Sequence, residues 1–485
     1  MKRATRRIIF YTFLFLFVGI TPFVILYSIG FVPDIVGWRL APTGGFFVKT
    51  SQTGISVFID GKLVSQTSFL SRGVLVNNLR PGLIGVEVAK DGFSRWRKSI
   101  QIDEQVIQEF PAVLLVPNEL PTTTITAAPI TLKANPIPKL LQPNQSGNAL
   151  LFEVNDDQRT VLRVISSANG RDLLSPLIFG QNELLSAGWT GNGNSLLLYR
   201  RLKDVDRWDL ISLPNGGLKP LITAQTSFSV SATSTLDTSV KISILKGARI
   251  RRVEVNPQND AEFYLFDGDN VFLWTQSATN TTLILASIYD FKPLQDKVVY
   301  ITKSGFLTAS DLAGKNVETL GRPGFFIGDK PFHVSENNNN QITILDSAGG
   351  LYLEDINTNT LIPIEGNVTT AIFSPDDTAL AYTTGGELRL LFLEDEKRQP
   401  FQKRGATKNV IDAVTPIDNF IWFNKKYSHA VFTTKNGIFI TETDSRFGAN
   451  TISLEAGRYL IAEVPDDPNS FYFTDGKTVR MATIK

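Results

Sequence analysis

The stretch KDVDRWD, Lys203 to Asp209, sets three carboxylates, Asp204, Asp206 and Asp209, around one aromatic, Trp208. An indole face packs well against a sugar ring or a peptide, and carboxylates accept hydrogen bonds or move protons. Glycoside hydrolysis needs little more than two well-placed carboxyl groups. Asp204, Asp206, Trp208 and Asp209 are therefore the candidate ligand surface of this chain, with a solvated loop as the competing reading. The chain has two histidines, His333 in KPFHVS and His429 in KKYSHAVF. A histidine metal site would need both plus carboxylates, and each is expected instead as a partly exposed strand residue. FDGDN, 266–270, lacks the downstream glutamate of a calcium loop and reads as a hairpin turn. ENNNNQ, 336–341, reads as a polar loop or a disordered tip. There is no G-x-S-x-G elbow, P-loop or H-E-x-x-H. No catalytic, metal or cofactor-binding residue is assigned, and no cofactor is expected.

Composition narrows the classes further. The chain has 485 residues, enough for two or more domains, with 42% hydrophobic and 20% charged residues. Phenylalanine is abundant at 33 and methionine scarce at 2, and the many Thr, Ser, Asn and Gly residues suit strands and turns. Cysteine is absent, which excludes disulfides, thiolate metal sites and cysteine nucleophiles. The net charge is +1, and four of the cations, Lys2, Arg3, Arg6 and Arg7, precede residue 8. The rest carries a slight acidic excess, which argues against nucleic acid as a partner.

Behind that basic cluster, Ile8 to Pro33 contains no charge. As a helix it spans about 39 Å at ~1.5 Å per residue, against roughly 30 Å for a hydrocarbon core. A cleaved signal peptide has a shorter apolar region and a small-residue cleavage site, and YSIGF is a poor one. A core helix would rarely be apolar on every side for seven turns. Residues 1–37 are therefore expected to be a cytoplasmic basic tip and an uncleaved signal anchor, with residues 8–33 in the bilayer. The positive-inside tendency puts the N-terminus in the cytoplasm and the remainder outside. Trp38, Tyr11 and Tyr27 are candidate interfacial residues.

Residues 46–116 show short alternating runs near 46–51, 55–60, 73–78, 83–90, 95–102 and 107–115. Asp60-Gly61, Pro81-Gly82 and Asp91-Gly92 are turn pairs between them. Gly54, Val57, Ile59, Asp60, Gly61, Pro81, Gly82, Val86, Val88, Lys90, Gly92 and Phe93 resemble the pattern of the PEGA domain. Gln52-Thr53-Gly54-Ile55 occupies the eponymous positions, where only the glycine matches, and Thr67-Ser68 stands where Thr-Pro is usual. The resemblance implies a small β-sandwich-like extracytoplasmic module with no chemistry of its own.

Residues 117–137 form a Pro/Thr-rich linker, stiff by composition, in which TTTITAAPITL is also a candidate edge strand for the following domain. From 138 to 485 a weak repeat of roughly 35–50 residues recurs, each unit holding three apolar runs separated by polar turns. Such a unit cannot bury both faces of its sheet alone. Radial stacking solves this, and ring closure removes the edges. A seven- or eight-bladed β-propeller is expected, its short last unit completed by strands from both ends. Two packed sandwiches are the alternative. Phe373-Ser374-Pro375-Asp376-Asp377 followed by Leu380-Ala381-Tyr382 resembles the WD40-like repeat of the TolB type. Trp189-Thr190-Gly191-Asn192-Gly193 and Trp422 with Asn424-Lys425-Lys426 match more loosely. Neither the repeated Asp-boxes of sialidases nor the tryptophan ladder of quinoprotein dehydrogenases is present.

The whole reads as a mainly β protein. It is expected to be a non-enzymatic, membrane-anchored scaffold of the bacterial cell envelope, whose propeller binds an envelope protein or a cell-wall glycan. The alternative is a carboxylate-dependent glycan-active enzyme built on the same propeller.

Overall fold

The computed structural model describes residues 3–34, 39–125, 136–232, 249–321 and 332–484, apart from residues 69, 192, 214–215, 225, 227–228, 277, 279, 356–357, 359, 425–427 and 466. Trp38, Asn192, Lys425, Lys426 and the linker segment 126–135 lie outside the described residues. Among the described residues a single α-helix, Arg3–Ser28, is followed by strands. The helix is apolar on all sides: Thr5–Ser28 has a mean hydropathy of 2.4, and none of its apolar window is buried. Length and composition allow it to cross a membrane.

The helix runs directly into a β module. Asn78 donates to the Tyr27 hydroxyl at 2.9 Å, and Thr43 bonds the Gly30 carbonyl through its amide and its hydroxyl. A three-stranded sheet (Gly73–Leu79, Gly44–Thr50, Ile107–Val113) faces a four-stranded one (Lys62–Gln66, Ser56–Ile59, Gly82–Ala89, Trp96–Ile102). Phe46, Val48, Val57, Val88, Ile100 and Phe110 fill the space between them. Asp60 and Gly61 both take positive φ, 49° and 79°, as a two-residue hairpin turn with right-handed strand twist demands. Strand Lys62–Gln66 follows that turn but lacks a buried alternate face, so its sequence carries no period-two apolar signal.

Phe31–Asp34 and Arg39–Pro42 pair as a two-stranded sheet between helix and module, and among the described residues the remaining strands form eight sheets, within 137–180, 184–223, 229–285, 288–321, 333–365, 370–412, 417–456 and 460–483. Most are four-stranded antiparallel meanders. The third gains a parallel strand, Ser229–Ala232, on its outer side. The strands of each sheet bury apolar residues on both faces, so each packs against two neighbours. Leu151, Leu162, Leu196 and Ile211 join the first sheet to the second; Trp208, Phe263 and Trp274 join the second to the third. The same holds at every following junction. Ile125, Phe152, Tyr472 and Val479 join the eighth sheet back to the first. The sheets therefore close into a ring of the β-propeller kind, and the alternative of two packed sandwiches does not describe it.

The start of the expected spacer is itself packed. Leu120 lies against the core between the seventh and eighth sheets, and Ile125 belongs to the closing junction. Thr122–Thr124 pairs antiparallel with the final strand, Val479–Thr483, as the fourth strand of the eighth sheet. Chain segments from either side of the ring thus complete one sheet.

A polar residue recurs where the innermost strand of a sheet turns into the second. Asn144, Thr190, Asn256, Asn337 and Ser374 are all buried. Asn144 accepts from the Ala149 amide, Asn337 from Gln341 and Ser374 from Ala379. Each such bond satisfies a backbone donor that the ring hides from water. Asn337 is the anchor of a tight turn inside ENNNNQ, which is ordered.

Thr123 stands opposite Met481 in the closing ladder, between bonded neighbours Ile125–Val479 and Pro121–Thr483. Thr123→Pro should remove the ladder donor of this edge strand, lowering the unfolding free energy by about 1–3 kcal/mol. A urea midpoint equal to wild type would show that this strand does not close the ring.

Candidate functional site

Strand Val205–Ser212 pairs in register with Ser195–Leu202, so Asp206 faces Arg201, Trp208 faces Tyr199 and Arg207 faces Arg200. The four residues of the candidate ligand surface are not assembled into one surface. Asp204 occupies the exposed hairpin turn. Asp206 is buried and held by Arg201 at 2.7 Å and Arg249 at 3.0 Å. Those two arginines bring its carboxyl below the ordinary range, although burial opposes them as the larger single influence. Asp209 is fully buried between Arg200 and Arg207, both at 2.6 Å. Trp208 is 2% exposed and stacks on Tyr199 with ring centres 4.9 Å apart. Carboxylates already saturated by guanidinium groups do not offer free acceptors to a glycan. Trp208 still contributes an edge to a cavity of about 480 Å³ between the second, third and fourth sheets, beside Trp189, Arg251 and Arg252.

His333 is exposed on its strand. His429 is not the partly exposed residue its sequence suggests: it is 5% exposed and packed at the foot of the β module. Burial, with the Lys98 charge adding to it, pushes its pKa down to about 3, so the imidazole is neutral at pH 7. No group of three or more metal-ligating side chains occurs among the described residues.

The densest polar chemistry lies where the β module meets the ring. In strand Trp96–Ile102 the side chains alternate strictly, with Trp96, Lys98, Ile100 and Ile102 inward. Lys98 thus occupies a core position and is 4% exposed. Its ammonium bonds three acceptors, all from the seventh sheet and the loop after it: the Glu442 carboxylate at 2.7 Å, the Asp444 carbonyl at 2.7 Å and the Arg446 carbonyl at 2.8 Å. An ammonium has three donors, so none is left over. Glu442 accepts in turn from the Trp96 indole at 3.0 Å and the Asn450 amide at 2.7 Å. Burial raises the Glu442 pKa, and Lys98 pulls against it.

Around this ion pair a second set of bonds ties the module's edge to the ring. The Arg446 guanidinium holds Asp444 at 2.6 Å, donates to the Glu109 carbonyl at 2.6 Å and lies 4.7 Å from the Phe110 ring centre. The Gln399 side-chain amide imitates a neighbouring strand. Its nitrogen donates to the Ile107 carbonyl and its oxygen accepts from the Glu109 amide, both at 3.0 Å. Beside these contacts a cleft of about 550 Å³ opens between module and ring. Phe110 and Val113 line one side, Leu390, Phe392 and Lys408 the other. This site is nearly invisible in the sequence: Trp96 and Glu442 stand 346 residues apart, and a lone lysine in an alternating strand reads as solvent-facing. Its one signal is parity, since Lys98 shares the phase of Trp96, Ile100 and Ile102.

No family model matches the chain, and no curated protein does. Solved structures similar to it include Saccharomyces cerevisiae Sqt1, with a TM-score of 0.44 and 9% identity over 75% of this chain and 100% of that one. The computationally designed Ika8 protein has a TM-score of 0.43 and 12% identity, over 74% of this chain and 99% of that one. The β-propeller domain of Myceliophteria thermophila Cps50 (Swd1) has a TM-score of 0.39 and 13% identity, over 75% and 100%.

Lys98→Met should leave the Glu442 carboxylate buried without its cation and cost roughly 3–5 kcal/mol. Adding Glu442→Gln should recover most of that loss. Chemical denaturation of the full chain in detergent checks both, and equal midpoints for wild type and Lys98→Met would remove the ion pair from this account.

His429 supplies a pH dependence of definite sign. Its folded pKa, about 3, lies below the ordinary 6.5. On acidification the unfolded chain takes up a proton that the folded chain refuses, so stability falls as pH drops through about 6.5 and levels off near 3. Between pH 7 and pH 5 the loss should be about 2 kcal/mol, at 1.36 kcal/mol per pH unit below 6.5. The loss should be absent in His429→Gln, so the stability difference between wild type and the variant should change by about that amount between the two pH values, measured by denaturation.

Proposed function

We propose that this chain is a membrane-anchored, extracytoplasmic scaffold of the bacterial cell envelope, without catalytic activity. The helix Arg3–Ser28 holds it in the bilayer with the basic tip in the cytoplasm. The sandwich-like β module, read as PEGA-like, stands at the outer surface, and the eight sheets act as eight blades of a TolB-like propeller. The ring presents an envelope protein or a cell-wall glycan with a binding face.

The observation that carries this reading is the continuity of polar joints from helix to ring. Tyr27 and Gly30 bond the module, and Lys98 and Arg446 bond the module to the ring. A propeller held in fixed attitude at the end of an apolar helix suits display better than turnover. The paired arginines on Asp206 and Asp209 leave the glycan-active alternative without a free carboxylate pair in KDVDRWD, and no specific observation favours it.

Protease added to spheroplasts should digest residues beyond about 40 and leave the helix in a membrane fraction that resists carbonate extraction. On spheroplasts with the protein intact, cross-linking should then capture a defined envelope protein, or purified cell wall should co-sediment with the full chain in detergent. Protection of the ring from protease, or release by carbonate, would overturn the anchoring. Accessibility with neither partner bound would overturn the scaffold role alone.

A further inference from the structure

The cleft between module and ring is apolar along most of its wall, yet its charges do not balance. Six ionisable side chains line it. Glu442 is neutralised by Lys98, Asp444 by Arg446 and Glu396 by Arg398. Lys49 from the module and Lys408 from the ring remain, and neither has a hydrogen bond or ion pair among the described residues. Asp444 attracts Lys408 only from a distance, and burial holds the Lys408 pKa below the ordinary lysine range. A half-buried ammonium against aromatic and aliphatic walls is stabilised by an anion that brings its own apolar body.

We propose that this cleft binds a small anionic amphiphile, an apolar chain ending in a carboxylate, with the chain against Phe110, Val113, Leu390 and Phe392 and the charge on Lys408 and Lys49. An extended peptide fits less well, because the strand edges are already occupied. Gln399 takes the Ile107 carbonyl and the Glu109 amide, Arg446 takes the Glu109 carbonyl, and Pro111 has no amide hydrogen. On the ring side the Ser445 hydroxyl takes the Asn409 carbonyl. These bonds take up backbone groups that an added strand would need, so recognition falls to apolar contact and charge. The volume, about 550 Å³, is in the range of small-molecule pockets. The inference does not require the helix to be in a membrane.

Octanoate is the probe, titrated calorimetrically into the full chain in lipid nanodiscs with empty nanodiscs as the blank. Saturable binding of one octanoate per chain is expected. Lys408→Met should weaken it at least tenfold, Lys49→Met by less, and Ala112→Trp, which places an indole in the cleft, should abolish it. Octylamine should not bind. Where Lys408→Met fails to fold, Lys49→Met and Ala112→Trp carry the same test. The assignment is overturned by the absence of saturable heat, by unchanged affinity in Lys408→Met and Ala112→Trp, or by octylamine binding as well as octanoate. An apolar tetrapeptide with a free C-terminus that binds where octanoate does not would overturn it in favour of a polypeptide ligand.

Discussion

A single lysine in a core position makes one body out of two folds. Strand alternation sends Lys98 inward beside Trp96 and Ile100. With the ring in place its ammonium is shut off from water, a burial that costs several kcal/mol unless it is paired. The ring supplies all three acceptors it needs. Glu442 is in the converse position, and Lys98 and Trp96 complete it. Each half therefore contributes one member of a buried ion pair that the other half completes. An apolar joint would tolerate sliding. A three-acceptor ammonium site does not, because small displacements break charge-assisted hydrogen bonds.

The attachment has a second, covalent point. The chain stays bonded to the module through Asn118, packs Val116 and Leu120 against the seventh and eighth sheets, and enters the ring as strand Thr122–Thr124. The module is thus fastened at the seam where the ring closes and again at the loop after Gly437–Glu442. Two points of contact oppose rotation about either one. The ring tolerates this load because every sheet is buried on both faces, so no free apolar face is left to repack when a neighbour is tied down.

Strand positions were legible wherever one face is buried and the other wet. Trp96–Ile102 and Gly82–Ala89 announce themselves by period two, and Asp60-Gly61 by its turn chemistry. The repeat units correspond to sheets because polar turns separate apolar runs at even spacing. The Asp residues of KDVDRWD misled because an acidic run around tryptophan reads alike as an open loop or as an ion-paired strand. Arg200 and Arg201 precede it in the sequence, but their pairing becomes visible only when the hairpin register, Leu202 opposite Val205, is set. His429 misled for a related reason: a polar residue after KKYS reads as a strand end in water, whereas it is buried among Trp96, Leu114 and Val116 on one side and Ile440 and Ile452 on the other. Long-range partners such as Trp96 and Glu442 leave no local pattern at all.

The consequence for function is one of attitude. A Pro/Thr-rich spacer standing free would be extended and semi-rigid, about 3.1 Å per residue, and would separate the propeller from the module without fixing its attitude. Here the first part of that spacer is a packed strand, and the helix exit is bonded to the module through Tyr27 and Thr43. With the helix in a bilayer, the ring would keep one side towards the membrane and one away from it. Rotational freedom is then lost at folding and not again at binding, so a partner fixed to the same membrane would meet a pre-oriented surface and give up less entropy. The cleft beside Lys98 shares that rigidity. Its two walls, Phe110 with Val113 and Leu390 with Phe392, belong to different folds, and the buried ion pair next to them fixes the gap. Loosening the Lys98 joint should therefore change the cleft before it changes either fold.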